Sequence, residues 1–99
     1  MEKTKKSVLF ICADQWRFDC FSFLNHQYAL TPNLDKLAKK SVIFKSHFAG
    51  IVPCGPSRTT MLTGLYPFIH RSVYNGAPLD KRFTNIAKEV RKLDYKPSL

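Results

Sequence analysis

The stretch that decides the fold is CGPSRTTMLTGL, residues 54–65. Gly55 precedes a proline and is therefore biased towards extended backbone, whereas Pro56 has the fixed φ and the missing N–H that suit the first turn of a helix. This pattern predicts a helix over 57–65, with Cys54 just before its N-terminus. Unpaired backbone N–H groups and the positive end of the helix dipole favour an anion at that position.

Two side chains of this stretch indicate chemistry. Arg58 comes four residues after Cys54 and falls on the same helical face, where its planar guanidinium can hold a tetrahedral oxyanion. Taken alone, Cys54 is more typical of an unreactive thiol than of a nucleophile. A cysteine-dependent phosphatase is disfavoured by spacing. That family resembles a pattern in which five residues separate the Cys from the Arg, whereas only three residues separate Cys54 from Arg58 here. The sequence also contains no glycine-rich phosphate-loop pattern.

Before this stretch, the first apolar run spans residues 8–13 and reads VLFICA. It is unbroken and ends in a polar residue, which is typical of a parallel strand buried on both faces. Asp14 then lies at the carboxyl end of the strand, where ligands bind in open α/β sheets. Asp14 and Gln15 have a simpler alternative role, which is to cap a turn.

The remaining elements complete an α/β pattern. Thr31 as N-cap, Pro32 at the first helical position and Asp35 in the first turn predict a helix that closes near Lys40. A second short strand is expected at 42–44, and a helix with an apolar face near Phe83 to Leu93. Residues 95–99 read as the beginning of a further strand.

The charge balance favours anionic partners. The chain has 16 Lys and Arg residues and 7 Asp and Glu residues, which gives a formal net charge of +9. Nucleic acid, anionic lipid and a sulfate or phosphate ester would all be attracted. A small basic nucleic-acid-binding domain is therefore the non-enzyme alternative, but no recognised nucleic-acid motif accompanies the charge. We expect no nucleic-acid partner and mostly solvated basic side chains.

The cysteines favour a reducing compartment, because their number is odd and no C-x-x-C pair occurs: Cys12, Cys20 and Cys54. The apolar run at 8–13 is too short for a signal-peptide core or a membrane span. We therefore expect a cytoplasmic protein with no membrane partner. The three histidines lack the mutual spacing of a metal site and are expected to be surface or packing residues: His26, His47 and His70.

Three segments carry a family resemblance. Residues 54–64 resemble the sulfatase signature C-x-P-S-R-x-x-x-x-T-G, in which the Thr and Gly are expected to be structural. ADQWR at 13–17 and TPNLDKLA at 31–38 are similar to two further segments of that family, in the same order. The resemblance covers essentially the whole chain, yet sulfatases are several times longer. It implies that residues 1–99 are the N-terminal part of a single catalytic domain, inactive in isolation.

The resemblance implies a mostly parallel, alkaline-phosphatase-like sheet flanked by helices. It also implies sulfuric ester hydrolysis. A maturation enzyme would oxidise Cys54 to formylglycine, whose hydrated form attacks sulfur or phosphorus through one hydroxyl. Asp14 and the residue at position 54 would bind a divalent metal, calcium or else manganese or zinc, and Arg58 would support the nucleophile. The substrate would be a small anionic ester, and the full-length protein could form oligomers.

A branch of the family carries a second resemblance. Asp14 is followed by Gln15 rather than by a second aspartate, as in phosphonate monoester hydrolases and choline sulfatases. The segment NGAPLD, residues 75–80, is similar to an N-G-x-P-L-D segment of the phosphonate branch, in which the Asn lies near the substrate. Pro53 suits the same branch. Gln15 and Asn75 are therefore candidate substrate contacts, and phosphonate monoester or phosphodiester hydrolysis is the alternative activity. A third alternative is an inactive product with exposed apolar surface.

Overall fold

The computed structural model describes residues 6–98. The chain divides into two compact units, with the boundary between Lys45 and Ser46. The first unit contains a 3₁₀ helix, Ser22–Leu24, and α1, Pro32–Ala38. The second contains α2, Cys54–Thr63, α3, Pro67–His70, and α4, Ile86–Arg91. Among the described helices, none is both long enough and apolar enough to cross a membrane.

The expected sheet is not formed within residues 6–98. The runs at 8–13 and 42–44 have no strand pairing, and neither do residues 95–98; Leu99 lies outside the described residues. Val8 and Leu9 are 83% and 84% exposed. The physical reason is that a parallel strand is stable only when neighbouring strands pair with its backbone and helices cover both of its faces. An apolar run supplies the side chains for that environment but not the partners.

In the first unit, hydroxyl groups join the 3₁₀ helix to the start of α1. Thr31 occupies the N-cap position and Pro32 the first helical position, as the sequence predicts. The Thr31 hydroxyl does not cap the backbone; it donates to Asp35 Oδ1 at 3.0 Å and accepts from the Ser22 N–H at 3.0 Å. Ser22 Oγ donates to Asp35 Oδ2 at 2.7 Å. One carboxylate therefore connects two elements of this unit.

In the second unit, α2 begins three residues earlier than the sequence predicts. Its first backbone hydrogen bond joins the Ser57 N–H to the Pro53 carbonyl at 3.1 Å. A residue before proline usually avoids helical backbone because its Cβ meets the proline ring, but Gly55 has no Cβ. Pro56 fits in the first turn because no intrahelical acceptor exists there for an N–H. The helix ends at Gly64, which adopts the left-handed conformation at φ 70°.

Helix α4 is shorter than the predicted span of 83–93. Asn85 is its N-cap, and the Asn85 side chain accepts from the Lys88 N–H at 3.0 Å. This bond satisfies one of the backbone donors that lack an intrahelical partner. Glu89 accepts hydrogen bonds from Lys92 and from the Thr84 hydroxyl, and these lower the pKa of its carboxyl group. The apolar periodicity thus extends three residues before the start of the helix and two residues beyond its end.

The described part of the chain has no buried large hydrophobic side chain. Its fully buried side chains are Pro56, His70 and Ser72, all in the second unit. Phe10, Phe44 and Phe48 are 66%, 76% and 85% exposed. The exposed apolar surface anticipated from the sequence is confirmed for these residues. Contacts between polar groups therefore organise both units more than apolar burial does.

Replacing Gly64 should weaken α2 through backbone conformation alone. A Cβ at this position would meet nothing within 4 Å, so crowding adds no cost. We expect G64A to destabilise the helix by about 1 kcal/mol, and G64N by less, because Asn tolerates left-handed backbone. Hydrogen exchange of the α2 amides measures both values. Equal costs for the two variants would contradict the conformational explanation.

The Ser22 hydrogen bond should make α1 acid-sensitive. This bond, together with the one from Thr31, lowers the pKa of Asp35 from its usual 3.8. Because the folded pKa is the lower one, the stabilisation is fully present above pH 3.8 and is lost as pH falls through the folded value. Carboxyl-detected NMR titration should show the Asp35 midpoint moving back up in S22A. S41A, at an exposed serine, is the control and should leave it unchanged; an unmoved midpoint in S22A would refute the assignment.

Candidate functional site around Cys54

Cys54 lies at the first position of α2 and is exposed. It follows the N-cap residue Pro53, whose backbone is extended. The sequence predicts Cys54 just outside the helix; the structure places it within the first turn, at the same positive end of the helix dipole. The candidate nucleophile is therefore accessible to solvent and lies beside backbone donors that no intrahelical carbonyl can satisfy.

Asn75 is the side chain that meets this first turn. Its Oδ1 accepts from the Gly55 N–H at 2.8 Å and lies 3.5 Å from Cys54 Sγ, which donates to it. Cys54 and Asn75 are separated by 21 residues and were singled out by different segments of the sequence. The structure brings them together. The amide oxygen of Asn75 acts here as an external cap for the helix and as an acceptor beside the candidate nucleophile.

Gly55 leaves the space that Asn75 occupies. A Cβ on Gly55 would lie 2.8 Å from Asn75 Oδ1 and 3.4 Å from Asn75 Cα. The first distance is shorter than real side-chain contacts allow, so any larger residue at position 55 would force Asn75 away. Gly55, at the variable position of the signature, thus fits sterically against Asn75, which lies outside the signature.

The other candidate residues are placed as follows. Arg58 lies on α2, four residues after Cys54, and its side chain is exposed. Asp14 and Gln15 follow the apolar run of the first unit and are also exposed. Gln15 adopts left-handed backbone at φ 52°, which is uncommon for a residue other than glycine. The backbone thus turns directly after Asp14, as the alternative role of turn capping would also require.

The residues of the described region do not assemble a metal site by themselves. No group of three or more His, Cys, Asp or Glu side chains within 6–98 is arranged to hold a metal ion. The Asp14 carboxylate is the type of ligand that hard divalent cations prefer, but it can supply at most two of the six to eight oxygens that calcium takes. The present residues therefore fit one ligand of such a site and not the whole of it.

Sequence reasoning missed a polar cluster behind Asn75. His70 was expected to be a surface or packing residue, and it is 2% exposed. Its Nε2 lies 3.0 Å from Thr60 Oγ1, and its Nδ1 accepts from the Ser72 N–H at 3.1 Å. Ser72 is also 2% exposed, and its hydroxyl donates to the Ala77 carbonyl at 3.2 Å. No spacing rule marks this cluster, because its members interact only after the chain has turned back onto α2.

A shallow groove of about 350 Å³ lies on the same unit and is lined by Ile69, His70, Arg71, Asp80, Arg82 and Phe83. Within it, the Arg82 guanidinium forms two hydrogen bonds to Asp80 Oδ2, at 2.9 and 2.7 Å. These bonds, with one from the Arg82 backbone, lower the pKa of Asp80. Asp80 is the last residue of the NGAPLD segment, and the ion pair lies across the following turn, in which the Phe83 N–H donates to the Asp80 carbonyl at 3.1 Å.

Enlarging Gly55 should separate Asn75 from Cys54. We expect G55A to remove the contact between Asn75 Oδ1 and Cys54 Sγ, because the new methyl group would lie 2.8 Å from the amide oxygen and push it away. The side-chain amide resonances of Asn75 in a ¹⁵N NMR spectrum should shift towards those of a solvated Asn. The double variant G55A/N75A supplies the control, because the clash with Oδ1 cannot occur in it. If G55A destabilises α2 equally in both backgrounds, the steric explanation is wrong.

Comparisons with known proteins identify the family of this chain. Residues 6–98 match the family model described as Sulfatase. The chain is 44% identical to the multifunctional alkaline phosphatase superfamily protein PehA of Trinickia caryophylli, over 97% of this chain and 20% of that protein. It is 34% identical to human N-sulphoglucosamine sulphohydrolase, over 89% of this chain and 17% of that protein.

A solved structure is also similar. The phosphonate monoester hydrolase of Agrobacterium radiobacter matches with a TM-score of 0.79 and 50% identity, over 86% of this chain and 17% of that protein. The chain thus spans about a fifth of the length of these relatives. At this identity the likeness shows an alkaline-phosphatase-like fold for the matched part of the chain, although no strand is formed within residues 6–98. The chain belongs to the sulfatase family of the alkaline phosphatase superfamily.

Proposed function

We propose that this chain carries the nucleophile of a hydrolase that cleaves phosphonate monoesters or sulfuric esters by means of a formylglycine derived from Cys54. The observation that carries the proposal is the placement of Asn75 Oδ1 against both Cys54 Sγ and the Gly55 N–H. A side chain with only a structural role at a helix start needs one backbone partner. Here the same oxygen also faces the exposed atom that the modification would replace.

Formylglycine would supply a hydrated aldehyde, of which one hydroxyl attacks and the other later expels the product by regenerating the aldehyde. The chain's own residues would prepare that chemistry. The Asn75 oxygen would accept a hydrogen bond from the group at position 54 and thereby fix its orientation. Arg58 would direct its guanidinium to the same face of α2 and stabilise negative charge on the substrate. The exposure of Cys54 leaves it accessible to a maturation enzyme.

The contact between Asn75 and Cys54 favours phosphonate monoesters over sulfuric esters as substrates. The relatives named above include a phosphonate monoester hydrolase at 50% identity and a sulphohydrolase at 34%. Asn75 was identified from a segment similar to the phosphonate branch, and it is this side chain that contacts Cys54. We therefore place phosphonate monoesters first and sulfuric esters second. The formal charge of +9 suits either anionic substrate.

The metal belongs to the same proposal. A divalent cation, with calcium first and manganese or zinc as alternatives, would neutralise substrate oxygens when bound. Asp14 would provide one oxygen ligand. The residue at position 54 would provide another in its modified form. Within residues 6–98, the remaining ligands of such an ion are not brought together.

Conversion of Cys54 should be detectable by mass. In protein produced together with a formylglycine-generating enzyme, the tryptic peptide that runs from Ser46 to Arg58 should lose the thiol and gain an aldehyde that reacts with a hydrazide. Cys12 and Cys20 are internal controls and should remain thiols that can be alkylated. An active protein in which Cys54 is still fully alkylated would overturn the proposal.

Ester hydrolysis should depend on both Cys54 and Asn75. Hydrolysis of an aryl phosphonate monoester and of an aryl sulfate would be compared in the protein expressed from its whole gene. C54A should abolish both activities, and N75A should lower kcat on the order of 100-fold, because a misplaced nucleophile loses about that much. C20A is the matched control and should retain activity. Equal kcat/KM values for wild type and N75A would remove the observation on which the proposal rests.

A further inference from the structure

We infer that His70 is a positioning residue: through Ser72 it fixes the loop at 71–77 so that Asn75 faces Cys54. The inference rests on the proposed function for its catalytic meaning, but its structural part stands independently. His70 lies at the end of α3, five residues before Asn75, and does not contact Cys54. Its effect on Cys54 would therefore be indirect, through the position of the loop.

The hydrogen bonds of His70 define its tautomer. Its Nδ1 lies 3.1 Å from the Ser72 N–H and must accept that hydrogen bond, so the Nδ1 atom carries no proton. The proton of the neutral ring is therefore on Nε2, which donates to Thr60 Oγ1 at 3.0 Å. One imidazole thus connects the middle of α2 to the backbone of the loop. Only a side chain with a donor and an acceptor at these two positions can do so.

Ser72 continues the connection towards Asn75. Its hydroxyl donates to the Ala77 carbonyl at 3.2 Å, which closes the loop across the residues that include Asn75. Thr59 Oγ1 lies within reach of the Ser72 oxygen, at 3.5 Å, and of the Gly55 carbonyl, at 3.1 Å. The loop is thereby held to α2 at both Thr59 and Thr60. Both anchors lie one turn or more after the Cys54 end of the helix.

Apolar contacts do not supply an alternative anchor for this loop. Val73 and Tyr74 are 51% and 63% exposed, whereas His70 and Ser72 are each 2% exposed. A buried N–H without an acceptor costs more than the bond itself contributes. Removal of the imidazole would leave the Ser72 N–H and the Thr60 hydroxyl without this partner. The loop would then relax, and the Asn75 oxygen would lose its position beside Cys54.

Hydrogen exchange in the 99-residue chain can test this role without any catalysis. The Gly55 amide reports on Asn75, because its N–H donates to Asn75 Oδ1. The Gly64 amide reports on the helix alone, because its N–H donates to the Thr60 carbonyl at 2.8 Å. In H70F we expect exchange at Gly55 to accelerate about tenfold, the equivalent of one lost hydrogen bond, while exchange at Gly64 changes by less than about twofold.

Conservative variants distinguish a role in positioning Asn75 from a role in the stability of the whole unit. H70N places its amide near the position of Nδ1, where its oxygen can accept from the Ser72 N–H, and should restore much of the Gly55 protection. H70Q places its amide near the position of Nε2, closer to Thr60 than to the Ser72 N–H, and should restore less. T60V, which preserves shape and removes the hydroxyl, is the milder variant if H70F does not fold, and it should accelerate Gly55 selectively. Unchanged Gly55 exchange in H70F or T60V would overturn the inference. Equal acceleration at Gly55 and Gly64, without rescue by H70N, would overturn it too.

A kinetic measurement then distinguishes this inference from the proposed function. In protein carrying the converted Cys54, the positioning role predicts that T60V lowers kcat and leaves KM within about twofold, because substrate contacts are retained. If the exchange results are as expected and the protein hydrolyses no ester, the proposed function fails and the structural role of His70 stands. If hydrolysis is present and T60V loses Gly55 protection with no change in kcat, the catalytic meaning of the inference is wrong.

Discussion

The hydrogen bond from the Gly55 N–H to Asn75 Oδ1 is the contact on which the organisation of the second unit depends. The first turn of any helix presents N–H groups that its own carbonyls cannot satisfy. By accepting one of them from outside, Asn75 allows α2 to start at Cys54 rather than after Pro56. The same contact joins two segments that are 20 residues apart. The start of the helix and the position of the loop therefore depend on the same hydrogen bond.

Around that contact, hydrogen bonds between polar groups hold the chain together, as apolar packing does in most domains. The fully buried side chains among residues 6–98 are a proline, a histidine and a serine. Among residues 6–98, each buried side-chain nitrogen or oxygen has a hydrogen-bond partner. Such a network is directional, because every bond requires one donor and one acceptor in a defined geometry. A directional network suits a site in which the position of one side-chain oxygen matters more than the strength of the surrounding packing.

Local sequence patterns predicted those features that neighbouring residues determine. Thr31 and Pro32 mark the start of α1, and the family resemblance selected Cys54 and Asn75, which the structure places in contact. The strand at 8–13 was not formed, because pairing requires backbone groups that local pattern does not contain. The early start of α2 depends on a residue 20 positions away. The role of His70 has no local sequence signal, because its burial and its hydrogen-bonding partners arise only in the folded unit. The roles of Asp14, Gln15 and Arg58 stay predictions.

The missing Cβ of Gly55 has a consequence for how this site can change in evolution. A larger residue at position 55 would displace the Asn75 oxygen, and loss of the acceptor at position 75 would leave the Gly55 N–H without this partner. A change at either position alone therefore disturbs the contact between them. Natural variants of this protein should exchange the two residues together, so that the identity at one position carries information about the other.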